Sequence, residues 1–231
     1  MTTDEAPSSI SRTRERDPRS FGGDAFYSSI GRAFVAMCAF VPVLFGIQLL
    51  DNLTAHRLRR DGGVQPHTLQ GLDGVVLAPF LHASFEHVTA NSVPLILLGT
   101  FVLAAGTRRF LAATAFIAVA SGLGVWFIGD PRTVVVGASG VIFGYFGLLV
   151  VRGVVERSWW NIAVALLIGL LYGWQLVGVL PGVDSTISWQ GHLCGLVGGM
   201  VAAVLFRRRR PRARAQVPAS GEEGALSLPV S

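Results

Sequence analysis

Six stretches of the chain contain no Asp, Glu, Lys or Arg: residues 33–50, 87–107, 110–129, 133–151, 158–183 and 185–206. Each is 18 to 26 residues long. At ~1.5 Å of helix per residue, each can cross a hydrocarbon core of ~30 Å. Charged residues are 14% of the chain, against about a quarter in a soluble domain. The pattern predicts an all-α polytopic membrane protein, a six-transmembrane-helix bundle over 33–206. A polar tail, 1–32, precedes it, and a basic, then Pro/Ala/Ser/Gly-rich tail, 207–231, follows; both read as flexible. The long first loop, 51–86, holds one semi-apolar segment, Leu72 to Leu81, which is too short to cross and reads as interfacial or re-entrant.

The net charge of +5 comes from 19 basic and 14 acidic residues. Residues 1–32 carry five Arg and five acids, 33–206 eight Arg and seven acids, and 207–231 six Arg and two acids. The excess is therefore one juxtamembrane cluster, Arg207 to Arg210 with Arg212 and Arg214. Such a cluster anchors topology or contacts anionic lipid headgroups. No aromatic-basic surface accompanies it, so nucleic acid is not expected as a partner. With both termini cytoplasmic, fifteen arginines lie inside and four outside (Arg57, Arg59, Arg60, Arg132), as the positive-inside rule asks. Cys38 and Cys194 fall in apolar runs and form no disulfide framework. Some thirty polar residues precede the first apolar run, so the N-terminus does not read as a cleavable signal peptide.

Polar side chains inside spans are costly, and each needs an explanation. In H-A-S-F-E-H-V-T-A-N, His82, His87 and Asn91 stand at the start of the second span, with His87 and Asn91 on one helix face. Ser139 lies in G-A-S-G, Gly137 to Gly140, and is expected a turn or two into the fourth span. His192 lies in G-H-L-C-G-L-V-G-G, a similar distance into the sixth. Spans two, four and six all enter from the outer side, so these groups should meet in one shallow layer. That layer holds the parts of an acyl-transfer site: Ser139 as nucleophile, His192 as general base, and His87 with Asn91 and the Ser139 N–H as oxyanion donors. Spans four and six offer no carboxylate at that depth, so a Ser-His dyad is expected. Small residues spaced by four, Gly140 with Gly144 and Gly191 with Gly195 and Gly199, would let the two backbones approach.

G-A-S-G, H-x4-H-x3-N and G-H-x2-G-x3-G on spans four, two and six resemble the rhomboid family of intramembrane serine proteases, over about residues 33–206. The resemblance implies that Ser139 and His192 are the catalytic dyad and that His87 and Asn91 are the oxyanion side chains. It implies no metal or other cofactor, and cleavage of transmembrane protein substrates near the outer membrane surface. The six-span form with cytoplasmic termini resembles the bacterial type, which implies the bacterial inner membrane. Three positions depart from the family pattern. Gly191 stands where the family often has Ala before the histidine. Phe143 stands where an aromatic, commonly Tyr, packs on the histidine ring. The first loop lacks the Trp-Arg pair often found there, which leaves its anchoring unexplained.

Other readings fit less well. The spacing of His82, His87 and His192 lacks the H-E-x-x-H arrangement of a zinc site. A transporter would be expected to show membrane-embedded charges and repeat symmetry. A non-catalytic binding factor of the same fold would be expected to lack the serine or the histidine. His82 either bonds the first loop or sits near the oxyanion group, with a structural role expected. Ser92 and Ser121 read as bonded back to their own helices, and Gln48, Asn161 and Gln175 as interhelical hydrogen bonders. His56 and His67 read as solvated loop residues, and Trp159, Trp160 and Trp189 as interfacial aromatics.

Overall fold

The structure, a computed structural model, describes residues 24–155, 188–207 and, between them, 159, 162–164, 166, 167, 169 and 170. Among these the chain is helical, with one isolated antiparallel bridge, Val64 to Val135. The helices are α1 (Asp24–Leu53), α2 (Arg57–Gly62), α3 (Gly74–Leu77), α4 (Phe85–Ala104), α5 (Thr107–Ile128), α6 (Ser139–Val155) and α7 (Trp189–Leu205). Three of them, α1, α4 and α5, are long and apolar enough to cross a membrane, and α6 and α7 are shorter apolar helices of 17 residues. The chain is an all-α bundle of apolar helices, with five of the six predicted spans seen as these helices among the described residues. The predicted fifth span, 158–183, lies mostly outside the described residues, as do Trp160, Asn161, Gln175 and Arg208 to Arg214.

Two boundaries differ from the charge-free runs. The first helix is already formed at Asp24, where the described residues begin, and so runs ahead of Ala33; Phe26, Tyr27 and Ile30 extend its apolar surface to the N-terminal side of Arg32. The fourth begins at Ser139, not 133. Residues 133–136 are neutral, but Val134, Val135 and Val136 are β-branched and stay outside the helix. Val135 exchanges two backbone hydrogen bonds of 2.9 Å with Val64. Gly137 follows at φ +127°, a conformation open to glycine.

Serines set where α4 and α7 start. Ser84 caps α4 by accepting the His87 N–H, and Ser188 caps α7 by accepting the Gly191 N–H. An N-cap hydroxyl satisfies one of the orphan donors of the first turn. It also sets the register, placing His87 and His192 one turn in.

The core is built around α4, α5, α6 and α7, with Leu98, Ile117, Leu149 and Ala202 fully buried. Helix α1 packs on α4, where Met37 fills the space left by Gly99. The first loop is tied down from other elements. Trp126 of α5 donates its indole N–H to the Thr68 carbonyl at 2.8 Å and accepts the His67 N–H. The segment read as interfacial forms α3 between two 3-10 turns, Gln70–Leu72 and Ala78–Phe80, and Gly74 lies against the Gly63 backbone.

Candidate active site

Helices α6 and α7 touch through glycine. A methyl on Gly195 would sit 2.1 Å from the Gly140 carbonyl oxygen, and one on Gly199 1.8 Å from that of Gly144. Only hydrogen fits at such contacts, so the two backbones lie against each other. The contact brings Ser139, the first residue of α6, to His192, the fourth of α7. Ser139 Oγ lies 2.8 Å from His192 Nε2. This is the distance at which a hydroxyl can hand its proton to an imidazole nitrogen.

The expected helical depth of Ser139 changes with the start of α6. The serine stands at the helix N-terminus, where first-turn N–H groups lack carbonyl partners inside the helix. Phe143, one turn on, stacks on the His192 ring, with centroids 4.3 Å apart and planes at 20°. Both rings are buried, so Phe143 restricts the plane in which His192 can face the serine.

His87 and Asn91 converge on Gly137, two residues before Ser139. A methyl on Gly137 would lie 3.0 Å from His87 Nε2 and 3.8 Å from Asn91 Nδ2. The Asn91 Nδ2 is buried and has no hydrogen-bond partner among the described residues. A buried amide donor without a partner is costly, which makes it conspicuous beside a possible nucleophile. His82 is also fully buried. Its Nε2 faces the Ala138 N–H at 3.4 Å and its ring meets His87 edge-on, with centroids 5.1 Å apart. Burial, then the neighbouring His87, lowers its pKa to about 4 against a smaller opposing effect of the Phe80 carbonyl. His82 is thus neutral at physiological pH, and it contacts the turn before Ser139 and the His87 ring.

A cleft opens beside Ser139 and His192, lined also by Val75, Ala78, Gly137 and Ser188. Several residues act differently from their sequence reading. Ser121 does not bond back to its own helix; its hydroxyl donates to the Gly191 carbonyl of α7 at 2.8 Å. Ser92 does bond back, to Val88. Gln48 donates within α1, to Asn52 at 3.0 Å, and not between helices. His56 is tied to Asp51, with Nδ1 and Oδ2 3.3 Å apart. The sequence reading passed over Asp51 and Arg59, although a carboxylate at the end of an apolar run is a signal that could have found the first.

Fold and site together define a helical membrane protein in which a serine and a histidine meet between two glycine-packed helices. The Rhomboid domain matches residues 70–209, and the chain belongs to the rhomboid family. It is 41% identical over 196 residues to an uncharacterised protein of Mycobacterium tuberculosis, covering 82% of this chain and 81% of the relative. An uncharacterised protein of Mycobacterium leprae is 37% identical over 188 residues, covering 78% and 74%. YdcA of Bacillus subtilis, provisionally named a rhomboid protease, is 28% identical over 144 residues, covering 57% and 66%.

Proposed function

We propose that the protein is an intramembrane serine endopeptidase that cleaves transmembrane proteins near the outer membrane surface. The observation that carries this reading is the 2.8 Å contact between Ser139 Oγ and His192 Nε2, beside the buried donor of Asn91. Family membership and the likeness to YdcA support it.

In this reading His192 Nε2 takes the Ser139 proton as Oγ attacks the scissile carbonyl. The carbonyl oxygen gains negative charge, received by Asn91 Nδ2, the His87 ring and the Ser139 backbone N–H. His192 returns the proton to the leaving amine as the C–N bond breaks, leaving an acyl-enzyme on Ser139. A water, deprotonated by His192, then attacks the ester and releases the second product and the serine hydroxyl. Ser139 lies six residues after the start of the charge-free run at 133, which supports a place below the outer surface, where water can still reach through the cleft.

The substrate enters laterally and unwinds so that its scissile carbonyl reaches Ser139. The rhomboid resemblance suggests small residues at the cleaved position and a helix-weakening segment. Arginine distribution supports cytoplasmic termini, with the tail cluster against anionic headgroups. Bacterial relatives support the bacterial cell membrane as the location. Residues 33–206 would form the protease domain between two tails. The test is cleavage of a reporter transmembrane substrate in liposomes by wild type, Ser139→Ala and His192→Ala. Cleavage only by the wild type is expected, and equal cleavage by Ser139→Ala would end the reading.

A further inference from the structure

Asp51 ends the apolar part of α1 with a carboxylate that is 1% exposed. A buried carboxylate needs several partners, and among the described residues its partners come from the chain that follows. Oδ1 accepts the Arg59 backbone N–H at 2.9 Å, and Oδ2 lies 3.6 Å from Arg59 Nε and 3.3 Å from His56 Nδ1. The other face of the same guanidinium donates from Nη1 to the carbonyl oxygen of Ala83. Of the three arginines in α2, Arg57 and Arg60 are exposed and Arg59 is partly buried. Asp51 and Arg59 both precede residue 70, where the match to the Rhomboid domain begins.

Ala83 sits between two residues already placed at the site. On one side is His82, buried against Ala138 and His87; on the other is Ser84, whose hydroxyl caps α4 at the His87 N–H. Arg59 also reaches the opposite side of the oxyanion region through its backbone. Its carbonyl accepts the Gly63 N–H, and the next residue, Val64, pairs with Val135 on the way to Gly137 and Ser139. One residue thus ties both walls of the oxyanion region to the end of α1.

We propose that Arg59, oriented by Asp51, is a positioning residue for the oxyanion side of the site. The carboxylate fixes the guanidinium plane, the guanidinium fixes the Ala83 carbonyl, and the Ala83 peptide sets where His82 and His87 stand relative to Ser139. The proposal rests on the serine-protease reading. A planar guanidinium can meet the carboxylate and the carbonyl at once, whereas an ammonium is a single compact charge.

The experiment uses full-length protein in liposomes and compares wild type, Ser139→Ala, Arg59→Ala, Arg59→Lys and Asp51→Asn. The readings are kcat and KM on a reporter transmembrane substrate, the rate of Ser139 phosphonylation by a fluorophosphonate, and thermal stability. Loss of one charge-assisted hydrogen bond predicts that Arg59→Ala lowers kcat roughly 10-fold or more. KM should stay within about two-fold, because ground-state binding is untouched. Phosphonylation, which also builds charge on an oxygen at the site, should slow by the same factor. Arg59→Lys, which keeps the positive charge beside Asp51, should keep wild-type stability and still lose kcat. It remains decisive if Arg59→Ala does not fold. Wild-type kcat and phosphonylation in folded Arg59→Lys would overturn the positioning role. Absence of cleavage and labelling in the wild type would instead overturn the protease reading.

Discussion

Gly195 of α7 lies against Gly140 of α6 so closely that a methyl on Gly195 would sit 2.1 Å from the Gly140 carbonyl oxygen. The obstacle is backbone, which cannot swing aside as a side chain could. Gly195→Ala must therefore push the helices apart at the level of the Ser139–His192 contact. Overpacking of this kind costs about 1–3 kcal/mol, and a shift of ~1 Å at reacting groups can cost ~100-fold in rate. Gly195→Ala is expected to lower both thermal stability and turnover. Gly191→Ala is the control: its methyl would meet Val125 Cγ2 at 3.0 Å, a side chain that can give, so activity should stay near wild type. Melting temperature and cleavage rate check both.

Asn91 makes the opposite kind of prediction. Its Nδ2 is buried without a partner among the described residues, so its burial cost is already present and Asn91→Ala breaks no hydrogen bond of that atom there. Stability should be unchanged or higher, while turnover falls roughly 10- to 1000-fold, the range for losing one oxyanion donor. Loss of folded protein would instead make Asn91 a structural residue. Melting temperature read beside kcat separates the two.

The stacked ring of Phe143 gives a graded series. Phe143→Tyr keeps a ring 4.3 Å from His192 and should retain most activity. Phe143→Leu fills part of the volume but leaves His192 free to rotate, and should lower kcat about 10-fold, a fraction of what positioning can supply. Equal kcat for Phe143→Leu and wild type would mean that His192 is oriented by other contacts.

Burial of His82 gives a pH dependence of stability. Its folded pKa, about 4, lies below the ordinary value of 6.5. Between these values the unfolded ring takes a proton that the folded ring refuses. The contribution is therefore fully present above about pH 6.5, declines as pH falls and is lost near pH 4. At 1.36 kcal/mol per pH unit the loss could reach about 3 kcal/mol. His82→Gln should flatten this part of the profile, measured as melting temperature from pH 7.5 to 4.5. A wild-type profile with no acid limb would show that His82 is not held neutral by the fold.

Much of the site was legible because membrane helices carry few polar groups. Ser139, His192, His87 and Asn91 stand out against apolar neighbours, and the glycine spacing on α6 and α7 matches the contacts that bring Ser139 to His192. Helix starts were less legible. A charge-free run shows what the bilayer tolerates, not where hydrogen bonding begins. Val134 to Val136 therefore read as span although Val135 pairs with Val64 of the first loop. Ser121 was misread for a related reason: its bond to Gly191 depends on a helix distant in sequence.

By itself the sequence determined the class of protein, its set of apolar spans and the residue types able to carry the chemistry. Those follow from local costs, of charge in hydrocarbon and of polar groups without partners. Only the tertiary structure decided how the site is held. The clasp from Asp51 through Arg59 to Ala83, the indole of Trp126 on the first loop, and the convergence of His87 and Asn91 on Gly137 all join residues from separate elements. Such contacts are set by helix packing and loop path, which no local pattern in the chain encodes.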